Sequence, residues 1–252
     1  MKNYIYIVLT FAFIALVAFV FKLFFTGISS ETEHVVNEND FNMEVKIEDQ
    51  HPGVEINLPE PDTVGNMTLE KALTLRRSVR SYKDEPLSIF EVSQLLWAAQ
   101  GITNDRGFRT APSAGATFPL EMYAMVNNVD GLKKGLYHYS PQDNSIKMIS
   151  DDDMSADIMK ACLSQSMITE GGIVLIFAAI FDRITSRYGD RGIRYTHNEI
   201  GHAAQNVHLQ AAALDLGTVV IGAYRDDEVE EILNLENDKR VLYLMPVGKL
   251  KE

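Results

Sequence analysis

Residues 173–181 read Ile-Val-Leu-Ile-Phe-Ala-Ala-Ile-Phe, without one polar side chain. A short run this rich in β-formers is the pattern of a strand with no face toward water, because a half-solvated strand would alternate polar and apolar residues. Such a strand needs apolar cover on both sides. The chain is therefore constrained to a layered fold with a sheet in the middle.

Helices that could provide the cover are legible on either side of that run. Ser88 and Glu91 have capping-box spacing, Leu87 and Val92 form a hydrophobic staple, and Val92, Leu95, Leu96 and Ala99 recur at helical period up to Gly101. Thr68 begins a shorter capped helix. A long helix is predicted over 198–216, ended by Gly217, with an apolar face of Ile200, Ala203, Ala204, Val207, Ala211 and Leu214. A face so rich in alanine lets another helix approach closely, in the core or at a subunit contact. Further strands are predicted at 120–126, 218–221 and 241–247, and as a hairpin at 136–139 and 146–149. The class is α+β, a sheet sandwiched by helices.

The N-terminus is different in kind. Residues 4–25 are apolar apart from Thr10 and Lys22, and a bilayer core needs about 20 apolar residues in a helix. A signal peptide usually has a shorter apolar region and a small-residue cleavage site, for which 26–30 is a poor match. The expectation is a retained single-pass anchor over 1–27, on an undecided side of the membrane. Residues 31–49 hold seven acidic residues against Lys46 alone, −6 of the total −12, and Pro52, Pro59 and Pro61 follow. That composition predicts an extended acidic tether over 28–65 and a folded part over 66–252. The acidic balance excludes the basic footprint of a nucleic-acid binder.

Several chemistries lack their residues. His197 and His202 are five apart, about 140° around a helix, so they do not share a face as zinc ligands at i and i+4 would. The lone cysteine, Cys162, can form neither a cysteine-pair metal site nor an internal disulfide. No metal centre is expected. No Rossmann or Walker glycine pattern occurs, and Ala111-Pro112-Ser113-Ala114-Gly115 precedes a predicted strand rather than following one, unlike a nucleophile elbow.

Two segments instead suggest a bound planar, phosphorylated group. Arg76-Arg77-Ser78-Val79-Arg80 puts three guanidinium forks and a hydroxyl within five residues, and such forks match phosphate oxygens. Ala111 to Ala116 is a small-residue turn whose backbone can approach a flat ligand closely. Each has a plainer reading. Arginines after a helix complement its macrodipole, and Pro-Ser-Ala-Gly is an ordinary turn sequence.

With these segments, Leu95-Leu96-Trp97-Ala98-Ala99-Gln100-Gly101-Ile102-Thr103, Gly135-Leu136-Tyr137-His138-Tyr139, Tyr188-Gly189-Asp190-Arg191-Gly192, Gly201-His202-Ala203-Ala204-Gln205-Asn206 and Leu242-Tyr243-Leu244-Met245-Pro246-Val247-Gly248-Lys249 follow in order. The set resembles the nitroreductase family, in its SagB/ThcOx-type dehydrogenase branch, over about residues 66–250. The resemblance implies a central, mostly antiparallel sheet and an FMN-dependent oxidoreductase, a homodimer with flavin at the subunit interface. Arg76, Arg77, Ser78 and Arg80 would grip the FMN phosphate and ribityl chain. Pro112, Ser113, Ala114, Gly115 and Ala116 would meet the flavin of the partner. Gly222 and Ala223 would face the ring with Gln165 beside it, and Lys249 would add charge at the phosphate end.

The azoline-oxidising members of that branch carry a Lys-Tyr pair that assists proton removal, and this chain has Arg187-Tyr188 at the matching place. Arginine stays protonated and is a poor base, whereas Tyr188 can donate or relay a proton or simply close the Gly-Asp turn. The expected function is a membrane-tethered FMN oxidoreductase acting on a small molecule. The alternatives are an azoline dehydrogenase acting on a modified peptide and a non-catalytic flavin-binding interaction module.

Overall fold

The computed structural model describes residues 46–236 and 238–251. The predicted anchor, 1–27, and the predicted tether up to residue 45 lie outside the described residues. Among the described residues no helix is long and apolar enough to cross a membrane.

The apolar run at 173–181 forms β5 (Ile173–Ile180), buried along its whole length. It pairs antiparallel with β2 (Leu120–Val126) on one side and β7 (Lys239–Lys249) on the other. With β1 (Glu55–Asn57), the hairpin β3 (Gly135–Ser140) and β4 (Ser145–Ser150), and β6 (Leu216–Thr218), it forms a seven-stranded sheet in the order β1-β4-β3-β2-β5-β7-β6. All six pairings are antiparallel.

The period of two along β5 divides its side chains between two cores. Ile173, Leu175, Phe177 and Ala179 pack with Leu95, Leu96 and Ala99 of α2 (Ile89–Gln100) and with Ile200, Ala203, Ala204, Val207 and Ala211 of α6 (Arg191–Ala213). Val174, Ile176 and Ala178 pack against α3 (Ser155–Ala161), α4 (Met167–Glu170) and α7 (Asp226–Leu233) through Ile158, Ile168, Val229 and Leu233. The alanine-rich face of α6 is therefore core within the chain, which withdraws it as an argument for a subunit contact. Cys162 is buried in the second core, and burial pushes its thiol up to about 12, so it packs as a small apolar side chain.

α1 (Leu69–Leu75) is capped by the Thr68 hydroxyl, and α2 carries the complete capping box of Ser88 and Glu91. The long helix differs from expectation at both ends. It starts at Arg191, directly after α5 (Asp182–Tyr188) and the Gly189 turn, and it stops at Ala213. Asp215 takes the left-handed turn at φ +55°. Gly217 ends no helix: it lies in β6, where a Cβ would meet Val79 Cγ1 at 2.8 Å. It is glycine because the 76–80 segment presses on it.

The folded part also begins before residue 66. β1 pairs with β4, and Ile56 and Leu58 are buried. Gln50, itself buried, donates to Gly131 O at 2.9 Å and accepts from Lys133 N at 2.9 Å. Ser93 Oγ donates to Pro59 O at 2.6 Å, and Gln94 exchanges two hydrogen bonds with the Asp62 backbone. Prolines and acidic residues mask this edge strand in the sequence, because Ile56 and Leu58, with Val54 packed in part against the same core, are too few apolar side chains to stand out.

Candidate cofactor and active site

The arginine segment is fastened to the last strand of the sheet. Ser78 bridges Thr218 in parallel register, and Val79 N donates to Thr218 O at 2.9 Å. The five residues have separate fates. Arg77 Nη1 donates to the carbonyls of Thr74 and Arg76, both at 2.8 Å, which is the helix-end role. Arg76 is half-buried and Arg80 exposed, and neither has an ion-pair partner among the described residues. Burial, and then the Arg76 charge, holds the His208 imidazole below its ordinary value. Lys249, in β7, is committed to Glu91 at 2.6 Å, the residue whose other oxygen caps α2.

Beyond Thr218 the chain leads to the predicted ring contacts. Ile221 exchanges two hydrogen bonds with Leu244, and the exposed Gly222 and Ala223 follow. Gln165 Nε2 donates to Ala223 O at 3.0 Å and to Cys162 O at 2.9 Å. A Cβ on Gly222 would meet only the Tyr243 ring, at 3.6 Å and beyond, so the approach to this backbone is open. Ala223 is five Cα–Cα steps from Thr218, at most about 17 Å of chain. The 76–80 segment, bonded at Thr218, and the open backbone at 222–223 are thus joined by one short stretch of chain.

The second predicted segment lies in a different cluster. Ala114–Ala116 is one 3₁₀ turn with Gly115 at φ +61°. Arg187 Nη1 donates to Gly115 O at 3.0 Å, and a Cβ on Gly115 would come within 2.5 Å of the Tyr188 hydroxyl. Ser113 Oγ accepts from Phe118 N at 2.9 Å, and Arg183 Nη1 donates to Phe118 O at 3.0 Å. Pro112, Gly115 and Ala116 are exposed. The loop is thus braced from α5, and the Tyr188 ring packs edge-on to Tyr195 with centroids 5.2 Å apart. The predicted residues form two solvent-facing half-surfaces, and no hydrogen bond or ion pair joins the two among the described residues. A cavity of about 640 Å³ lined by Tyr82, Asn128, Glu170 and Lys251 contains none of them.

Sequence reasoning missed the polar layer behind the loop. Glu121 binds His138 and, at 2.6 Å, Arg183. Burial alone would raise its carboxyl, but the His138 hydrogen bond and the Arg183 charge together hold it below the ordinary range. Arg109 lies over the Phe118 ring at 4.6 Å and donates to Gln100 Oε1 at 3.2 Å. Glu199 of α6 is 2% exposed, and burial raises its carboxyl to about 7 against the pull of Ser113 and Arg109. One signal was available: Glu199 falls in the stripe of Ile200, Ala203 and Val207, where a carboxylate is out of place.

The Nitroreductase family profile matches residues 73–249. A protein of Methanocaldococcus jannaschii named as a nitroreductase is 48% identical over 196 residues, 78% of this chain and 96% of that protein. The trifolitoxin operon protein TfxC of Rhizobium leguminosarum bv. trifolii is 27% identical over 190 residues, 69% of this chain and 53% of TfxC. A solved structure of a protein from Ralstonia eutropha, also named as a nitroreductase, superposes with a TM-score of 0.68 at 27% identity, covering 80% of this chain and 94% of that one.

Proposed function

This chain belongs to the nitroreductase family, in the branch of the SagB-type dehydrogenases, and from that premise we propose that it is an oxidoreductase that holds FMN between two copies of itself. One observation carries the reading: the two half-surfaces both face solvent, and no hydrogen bond or ion pair joins them among the described residues. Arg76, Ser78 and Arg80 would hold the phosphate of one flavin, and Gly222 and Ala223 would lie along its ring. The Pro112–Ala116 loop of a second copy, stiffened by Arg187, would close the other side. The bound flavin supplies the redox chemistry. Tyr188 stands at that loop with a hydroxyl able to hold or deliver a proton to a small acceptor.

The relation to TfxC supports a second reading, azoline oxidation on a peptide. Against it, Arg187 is engaged as a brace on Gly115 O and is a poor base, which leaves Tyr188 alone to accept a carbon-bound proton. We also propose, from the apolar run at 4–25, that the domain is tied to a membrane. Detergent-purified full chain should be yellow, with FMN identified by mass, and should sediment as a dimer. A colourless protein that takes up no added FMN would overturn the flavin reading in favour of an interaction module.

A further inference from the structure

Behind the 112–118 loop lies a cluster whose polar atoms do not balance. Gln100 Nε2, Arg109 Nε and both carboxyl oxygens of Glu199 are buried without a hydrogen-bond partner, four of the five such side-chain atoms among the described residues. Buried polar atoms are normally paired, so a concentration of exceptions in one place asks for an explanation. The groups are linked by one hydrogen bond and by charge. Arg109 is bonded to Gln100, and its charge acts on Glu199 from beyond ion-pair distance. The Ser113 hydroxyl faces the Glu199 carboxyl, although neither carboxyl oxygen closes a well-aligned bond. Arg109 is the one charged group among the described residues that acts on that carboxyl, and it approaches from the loop side.

A carboxylate buried with neither oxygen satisfied is untenable, whereas a neutral acid in the same place is not. Ser113 Oγ, which already accepts from Phe118 N, can accept the acid's O–H as well. Ionisation has two outlets. The loop can lift and admit water, or Arg109 can leave Gln100 and the Phe118 ring to pair with Glu199. The first moves residues 112–118 outright, and the second takes the Arg109 guanidinium off the Phe118 ring that the loop carries. We infer that Glu199 is the positioning residue of the 112–118 loop, holding it closed through Ser113 while the carboxyl keeps its proton and releasing it when the carboxyl ionises. Since burial raises this carboxyl to about 7, the release falls near neutral pH. The inference rests on the reading above only for its consequence, that flavin contact by the loop is proton-linked.

Hydrogen exchange of the Phe118 amide tests it without any cofactor, because that amide donates to Ser113. Its protection factor in the full chain, measured against β5 amides as internal reference, should fall about tenfold between pH 6 and pH 8, the linkage expected of a carboxyl that loses its burial on opening. In Glu199→Gln, a permanently neutral isostere, protection should stay at the low-pH level throughout. A flat wild-type profile overturns the inference whatever the variant does, and so does an unchanged fall in Glu199→Gln. FMN affinity over the same pH range should follow the same two profiles. If exchange behaves as expected while no FMN binds at any pH, the flavin reading fails and the Glu199 latch stands.

Discussion

At the 76–80 corner, Arg76 and Arg80 reach no carboxylate among the described residues. Beside the 112–118 loop, Arg183 is ion-paired with Glu121 and Arg187 is bonded to Gly115 O. Both regions are rich in arginine, and composition alone does not say which guanidinium is engaged. The difference lies in what the folded chain offers each guanidinium. A cation already holding protein acceptors is a fastening, and one left without them is available to an external anion. The same criterion divides the first cluster itself, since Arg77 is engaged with helix-end carbonyls while Arg76 and Arg80 are not.

The largest expected effect tests the free pair. Replacing both Arg76 and Arg80 with alanine should weaken FMN binding at least a hundredfold, since each charge-assisted contact contributes roughly 1.5–3 kcal/mol. Thermal stability of the apoprotein should barely move, within about 0.5 kcal/mol, as for surface changes that break no internal contact. Flavin fluorescence titration and a melting curve separate the two. A double variant that loses stability and keeps flavin would show that the corner is architecture after all.

Glu199 gives the next effect, on global stability. Its folded carboxyl is raised from 4.5 to about 7, so between those values the native state keeps a proton that the unfolded chain has lost. Stability from this group is therefore greatest below about pH 4.5, falls as pH rises toward 7, and is level above that. The whole fall is up to about 3 kcal/mol. Glu199→Gln should lack it, so urea denaturation should find the variant ahead of wild type by an increasing margin from pH 5 to pH 8. A margin that shrinks over that range would mean the carboxylate is stabilised where it lies.

Arg183→Ala should cost less, about 1–2 kcal/mol, because the arginine is two-fifths exposed and solvent screens the pair. Here the loss should appear in stability first, with FMN affinity reduced only through the loop. Glu121 is held below its ordinary value, so this contribution is present at neutral pH and disappears as pH falls through the folded value. Wild type and variant should therefore converge in acid. Divergence there would remove Glu121 as the partner that matters.

These contrasts also explain what the sequence could convey. The layered fold was legible because β5 has no polar side chain and α2 carries its cap and staple in consecutive residues; each is a local pattern with one physical solution. Gly217 was misread because a helix stop and a close packing contact both select glycine, and only the approach of Val79 distinguishes them. The strand at 55–57 was missed because two buried apolar side chains, at 56 and 58, are too few to stand out among prolines and carboxylates. Within the candidate site, the Arg76–Arg80 and Ala111–Ala116 segments were visible as compositions. Which arginine is free depends on Thr74, Glu121 and Gly115, partners set by the fold. Glu199 carried a signal, a carboxylate in an apolar stripe, whose meaning needed Ser113 and Arg109 from an element some ninety residues earlier.

The smallest effect probes the engaged region most finely. Arg187→Lys keeps the charge but loses the planar fork that reaches Gly115 O, and lysine holds a single point charge on a flexible stem. Stability should change by less than about 1 kcal/mol, because Arg187 is exposed, and FMN affinity by less than about fivefold. The substitution also restores the Lys-Tyr pair of the azoline oxidases beside Tyr188. If Arg187 is only a brace, the variant should reduce quinone or nitroaromatic acceptors as wild type does and oxidise no azoline peptide, as judged by a two-hydrogen mass loss. Azoline oxidation that appears with lysine and vanishes again with Tyr188→Phe would place proton removal at position 187, and this arginine would then belong with the chemistry rather than with the scaffold.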